Sequence, residues 1–301
     1  MKKLKLPNFL IVGAAKSGTS SLHNYLNQHP NIFMPTFNSD GIKVKEPRFL
    51  ISKLVKDRLH SGTWTFEEYQ KLFTDCIDYQ AVGESTVLYL YYYEEAIKNI
   101  KKYLGQNVKI IIMLRNPIDR AYSAYNFVVR RGIKEKLSFE EALKQEKDRL
   151  YNNYNMTPMV MYKEMGLYYK MVESYMKNFQ DVHIIFYDEF KKNTSVEISK
   201  VFAFLNVSVL SNIDSSKRYN VGGQTWRFQW ARAVFLKKSI FKRYIPRIVK
   251  NTIIKNLLPF LIRKSNSINK KTKEYLIDFF RDDINKLSKL LKKDLQHWLE
   301  I

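Results

Sequence analysis

Residues Asn8 to Val12 form a short apolar run that passes into Gly13-Ala14-Ala15-Lys16-Ser17-Gly18-Thr19-Ser20-Ser21. Leu22, Tyr25 and Leu26 then recur at helical spacing until His29-Pro30 ends the pattern. A buried strand, a tight turn and a helix are the only simple reading. Such a turn aims several backbone amides at one point, and the helix N-terminus adds partial positive charge there, so the place suits a phosphate. The ordinary phosphate loop reads GxxxxGK[ST], and Gly13 and Gly18 fit it. Thr19, however, stands at the lysine position, and the loop's lysine is Lys16, inside the turn.

Lys109 to Leu114 (KIIIML) is a continuous, β-branched run of the kind found in parallel sheets covered on both faces, and Val182 to Tyr187 (VHIIFY) resembles it. Between the strands lie helical stretches, two of which open with a capping box, Thr65-Phe66-Glu67-Glu68 and Ser138-Phe139-Glu140-Glu141. Alternating strands and helices predict an α/β fold with a central parallel sheet flanked by helices. The 301 residues are 45% hydrophobic and show no repeat or flexible linker, which predicts one domain over 1–301. A C-terminal helix is expected at about 274–298, where Leu276, Phe280, Ile284, Leu287, Leu291 and Leu295 keep helical spacing.

The net charge of +22 calls for an anionic partner. Much of it comes from 215–273, which holds sixteen Lys or Arg, no Asp or Glu, and the aromatics Trp226, Phe228, Trp230, Phe235 and Phe241. Lone Cys76 excludes an internal disulfide and a multi-cysteine metal site, and it reads as a buried small residue. The start MKKLKLPNFLIVGAA is too short in its apolar part and runs too directly into Lys16 for an export signal. No uncharged apolar stretch of about eighteen residues or more exists, so a spanning helix is not expected. The expected location is the cytoplasm, with possible peripheral contact with an anionic membrane.

Kinases and NTPases of the phosphate-loop class need Mg²⁺ held by a hydroxyl and an acid at the end of a neighbouring strand. Here the strand KIIIML ends in Arg115. A cation there repels a metal and attracts a second anionic group. The site is therefore expected to take a metal-free nucleotide with phosphates in two places.

KSGTSSL followed by HP, then KEPRF, then LRNPIDRAYSAY, resembles the family of sulfotransferases that use 3'-phosphoadenosine 5'-phosphosulfate (PAPS), especially bacterial and heparan-sulfate-type carbohydrate sulfotransferases. The resemblance extends to Gly166-Leu167-Tyr168, VHIIFYDEF and FFRDDINKLSKLLKKDLQHW. It implies the P-loop NTPase-like sulfotransferase fold, PAPS as co-substrate with PAP as product, and no metal. Lys16, Ser17, Gly18, Thr19 and Ser20 would hold the 5' end, and Arg115 and Ser123 the 3'-phosphate. Lys217 and Arg218 fall in a basic, glycine-containing stretch that in relatives closes over the nucleotide.

Sulfuryl transfer to an alcohol needs in-line attack, a base for the hydroxyl proton, and positive charge on the leaving oxygen. Glu46 matches the glutamate base of the carbohydrate branch, and Pro47 biases it toward extended backbone. Lys16 is the candidate for the leaving oxygen, and Lys45 for positioning. Glu84, in Glu84-Ser85-Thr86, falls where relatives line the acceptor cleft and is the alternative base; His60 is a candidate acceptor contact. Core or capping roles are expected for His23, His29 and His183.

A glycan hydroxyl is the expected acceptor, with a sterol or other lipid or small-molecule alcohol as the alternative. Segment 215–273, with its cluster Lys237, Lys238, Lys242 and Arg243, also fits an anionic membrane. It suits nucleic acid less, since no recognised module accompanies it.

Overall fold

The computed structural model describes residues 5–37, 41–42, 44–131, 135–152, 156–217, 219, 222–228 and 260–301. Five parallel strands organise it: β1 (Phe9–Gly13), β2 (Ile32–Phe33), β3 (Ala81–Ser85), β4 (Lys109–Leu114) and β5 (Val182–Phe186), in the order β2-β3-β1-β4-β5. Side chains alternate across a strand, so a sheet covered on both faces needs apolar residues at every position. Leu10, Val12, Ile110, Ile112 and Leu114 enter one core, and Phe9, Ile11, Ile111, Met113 and Ile185 the other. This is the physical reason for the unbroken runs FLIV and KIIIML.

Helices cover both faces. The first core meets α5 (Tyr93–Tyr103), α6 (Pro117–Arg131), α9 (Tyr168–Asn178) and the C-terminal helix Lys270–Leu291, while the second meets α1 (Thr19–Leu26) and α11 (Thr194–Phe204). Shorter helices are α2 (Ser52–Val55), α3 (Phe66–Lys71), α4 (Leu88–Tyr91), α7 (Phe139–Lys144), α8 (Glu146–Asn152) and α10 (Tyr187–Lys192). Both capping boxes form: Thr65 accepts from the Glu68 amide and Ser138 from the Glu141 amide, each glutamate returning a bond to its cap.

The C-terminal helix begins earlier and ends sooner than its apolar spacing suggests. Asn269 caps it through the Lys271 amide, and Lys292, left-handed at φ 50°, stops it before a 3₁₀ turn, Gln296–Leu299. Leu295 and Trp298 still reach the core, which is why the periodic pattern overran the helix. Two further strands, β6 (Gln224–Trp226) and β7 (Ile262–Lys264), pair antiparallel. Most of the basic segment, including Lys237, Lys238, Lys242 and Arg243, lies outside the described residues, as does Arg218. No described helix is long and apolar enough to cross a membrane.

Central β1 lies between β3 and β4, and the chain leaves it to build outward in both directions. Open α/β sheets bind ligands at such a switch point, beyond the carboxyl ends of the strands.

Candidate active site

A cleft of about 820 Å³ opens there. Its floor is the turn after β1. Gly18 caps α1 with φ 93°, a left-handed conformation, and a Cβ at this position would meet the Tyr187 ring at 3.2 Å. Both observations favour glycine here. No side chain caps α1 and no acid occupies its first turn, so the helix N-terminus is presented without an internal anion.

One group of lining residues clusters beyond β4 and β5. Arg115 follows β4; its guanidinium donates to the Lys16 carbonyl at 3.2 Å, stacks on Tyr187 at 4.9 Å and meets Asp119 at 3.9 Å. Ser123 lies two helical turns on, and a Cβ on Gly222 would come within 3.0 Å of its hydroxyl. Ser215, Lys217 and Tyr219 dock on α1: Tyr25 donates its hydroxyl to the carbonyls of Ser215 and Lys217, and the Tyr219 amide donates to Ser21 Oγ at 3.1 Å.

The second group carries the carboxylate. Glu46 is paired on both sides, with Lys45 Nζ at 3.4 Å and an Arg48 nitrogen at 3.4 Å. Arg48 also donates to the backbone and hydroxyl of Ser61. Leu59, Ser61, Val87, Leu88, Thr157 and Met159 complete this side.

Lys16 joins the two groups. Its ammonium lies 4.4 Å from the Phe127 ring centre, and no carboxylate pairs with it among the described residues. Burial, then the charges of Arg130, Arg115 and Arg131, push its pKa down to about 8, against a smaller opposing pull from Glu46. A half-buried cation among other cations suits an anion.

The residues singled out in the sequence are thus distributed unevenly. Lys16, Gly18, Thr19, Ser20, Glu46, Arg115 and Ser123 line one cleft. Ser17 is fully buried and contributes backbone to the turn. Lys45 touches the cleft through Glu46. Lys217 is exposed, its ammonium 5.4 Å from the Tyr219 ring, and His60 is exposed between two lining residues. Glu84 is not at the cleft surface: it is fully buried inside β3, which runs two residues further than the apolar run Ala81-Val82-Gly83. His23 and His29 are buried and bonded to Ser85 and to the Ser208 carbonyl.

Of one wall the sequence marked Ser123 alone. Asp119, Ser123, Phe127 and Arg131 all line the cleft, and they stand four residues apart along α6. That i, i+4 spacing continues from Ser123 and was available as a signal. Tyr187, quoted within VHIIFYDEF but given no role there, is placed at the cleft by following β5 directly.

These features define an α/β protein with a glycine turn after β1 that lacks the usual lysine and shares its cleft with a basic group beyond β4. The sulfotransferase domain model matches residues 6–229, and the chain belongs to that family. A sulfotransferase from Alicyclobacillus acidocaldarius is 28% identical and superposes with a TM-score of 0.72 over 98% of this chain and 100% of that one. Mouse sulfotransferase SULT7A1, solved with PAP, shares the fold at 16% identity and a TM-score of 0.50, covering 95% of this chain and 87% of its own. Human carbohydrate sulfotransferase 15 is 24% identical over 250 residues, 68% of this chain and 45% of the relative. The chain spans less than half the length of the curated relatives it matches.

Proposed function

We propose that this chain, as one sulfotransferase domain over 1–301, moves a sulfuryl group from PAPS to a hydroxyl of a glycan, with Glu46 as general base. The observation that carries the reading is the meeting of an uncapped helix N-terminus, the cation Lys16, which pairs with no carboxylate among the described residues, and the carboxylate Glu46 in a single cleft. PAPS supplies an activated sulfuryl group and two separated anionic ends. The residues fit both ends: the amides of the turn Lys16–Ser20 suit the 5' side, and Arg115 with Ser123 suits the 3'-phosphate, under the backbone at Gly222.

Glu46 takes the proton of the acceptor hydroxyl as its oxygen bonds to sulfur, while the bond from sulfur to the bridging oxygen breaks. Lys16 meets the charge gathering on that oxygen, in a setting where burial strengthens the attraction. Lys45 and Arg48 hold the Glu46 carboxylate from two sides. The relative that modifies carbohydrate supports a glycan acceptor. Leu59, Leu88, Phe127 and Met159 in the lining favour the second reading, a lipid or small-molecule alcohol.

Thermal stabilisation by 3',5'-bisphosphate without Mg²⁺, and none by ATP with Mg²⁺, is the expected result; the reverse overturns the reading in favour of a kinase. Transfer of labelled sulfate to a panel of glycans and lipid alcohols decides the acceptor.

A further inference from the structure

Glu84 is a buried acid that the mechanism leaves unused. Its carboxylate accepts from the Tyr89 hydroxyl at 2.8 Å, from Thr86 Oγ1 at 2.9 Å and from the Tyr69 hydroxyl at 3.3 Å. Two of these hydroxyls have a second duty. Thr86 Oγ1 accepts the Arg48 amide at 3.3 Å, and the Tyr89 oxygen accepts the Leu50 amide at 3.4 Å. An ionised carboxylate only accepts, so each hydroxyl spends its proton on Glu84 and keeps its lone pairs for the loop.

The loop needs such holding. Arg48 is left-handed at φ 63°, a conformation that a side chain other than glycine adopts only when its surroundings impose it. From that backbone the Arg48 guanidinium reaches Glu46 and Ser61. A continuous path therefore runs from Glu84 through two hydroxyls to the turn that carries the base.

We propose that Glu84 is a positioning residue: through Thr86 and Tyr89 it fixes the Arg48–Leu50 turn and so the placement of Glu46. This rests on the reading of Glu46 as base.

The surroundings make the arrangement sensitive to protonation. Tyr69 faces Glu84 from α3, Tyr89 from α4, and Tyr175 from α9 bonds the Tyr89 carbonyl; Glu46 and Arg48 lie on the loop, and His23 on α1 bonds neighbouring Ser85. No lysine, arginine or histidine pairs with Glu84 among the described residues. Burial pushes its carboxyl up to about 7, the charge of Glu46 adds to this, and the three hydroxyl bonds oppose it. A protonated Glu84 carries an O–H of its own, so a hydroxyl that donated to that oxygen must turn its proton elsewhere, which reorients the lone pairs it offers to the loop.

The test uses the full chain with bisphosphate bound, and compares Glu84→Gln and Thr86→Val with the parent. Amide hydrogen exchange in 44–55 should quicken about tenfold in either variant while 9–26 stays within about twofold, since local opening is read segment by segment. With labelled PAPS and a desulfated glycosaminoglycan, kcat should fall about tenfold at unchanged KM for PAPS, as expected for a misplaced base. The parent's loss of kcat on acidification through about pH 7 should vanish in Glu84→Gln. If Glu84→Gln does not fold, Thr86→Val carries the same exchange readout. Parental exchange in 44–55, or a parental kcat and pH profile, overturns the proposal. Full turnover in Glu46→Gln would instead remove the base assignment, so the two failures are separable.

Discussion

The two ends of the cleft are built differently. The proposed donor end joins main chain, a glycine turn and a helix terminus that follow a central strand, with the side chains of Lys16, Arg115 and Ser123. The acceptor end is made of side chains on a loop, where Glu46 keeps its place through ion pairs with Lys45 and Arg48 and through hydroxyls beneath Arg48. The first end therefore depends on backbone conformation as well as on its cations, whereas the second fails by single substitutions that leave the fold intact.

The sharpest way to break this comparison is Glu46→Gln. It should lower kcat by about 10²-fold or more while bisphosphate affinity, measured by calorimetry, stays within about twofold. An equal loss of affinity would show that the two ends are one unit. At the donor end, Arg115→Ala should weaken bisphosphate binding by about 10- to 100-fold, the worth of a charge-assisted contact, and leave acceptor KM unaltered.

Gly18→Ala tests the claim that the donor end depends on backbone shape. It should cost about 1–2 kcal/mol of stability in thermal or urea unfolding, together with weaker bisphosphate binding, because a left-handed alanine is strained and its Cβ presses on Tyr187.

The smallest effect concerns the lysine between the two ends. In the free protein Lys16 is lowered from 10.5 to about 8, so between those values the folded state holds fewer protons than the unfolded chain. The stability contribution therefore rises as pH climbs from about 8 to 10.5, and the cost of the buried charge is fully present below that window. A phosphate beside Lys16 raises its pKa again. Bisphosphate binding near pH 9 should then take up a fraction of a proton, read by calorimetry in buffers of different ionisation enthalpy, and Lys16→Met should abolish the uptake.

Much of the donor end was legible in the sequence because its chemistry is local. Gly13, Lys16, Gly18 and Thr19 stand within one turn, and Arg115 follows its strand directly. Glu46 was legible only through the motif that surrounds it. Glu84 is buried rather than at the cleft surface because β3 continues through it beyond the run Ala81-Val82-Gly83; the hydroxyls of Thr86 and Tyr89, close by in sequence, and of Tyr69, fifteen residues before it, allow a carboxylate there. The wall Phe127–Arg131 was overlooked although its spacing from Ser123 is helical, since arginines on a helix surface carry no mark of what they face.

The sequence by itself determined the parallel α/β sheet, the glycine turn after β1 and the basic residue after β4, because alternation, glycine and strand endings act over a few residues. Only the tertiary structure decided that Lys16, Glu46, Arg115 and Ser123 share one cleft, that Arg130 and Arg131 crowd the lysine, and that Glu84 supports the loop from below. Those relations join residues dozens of positions apart, and they arise from how helices and loops pack across the ends of the strands.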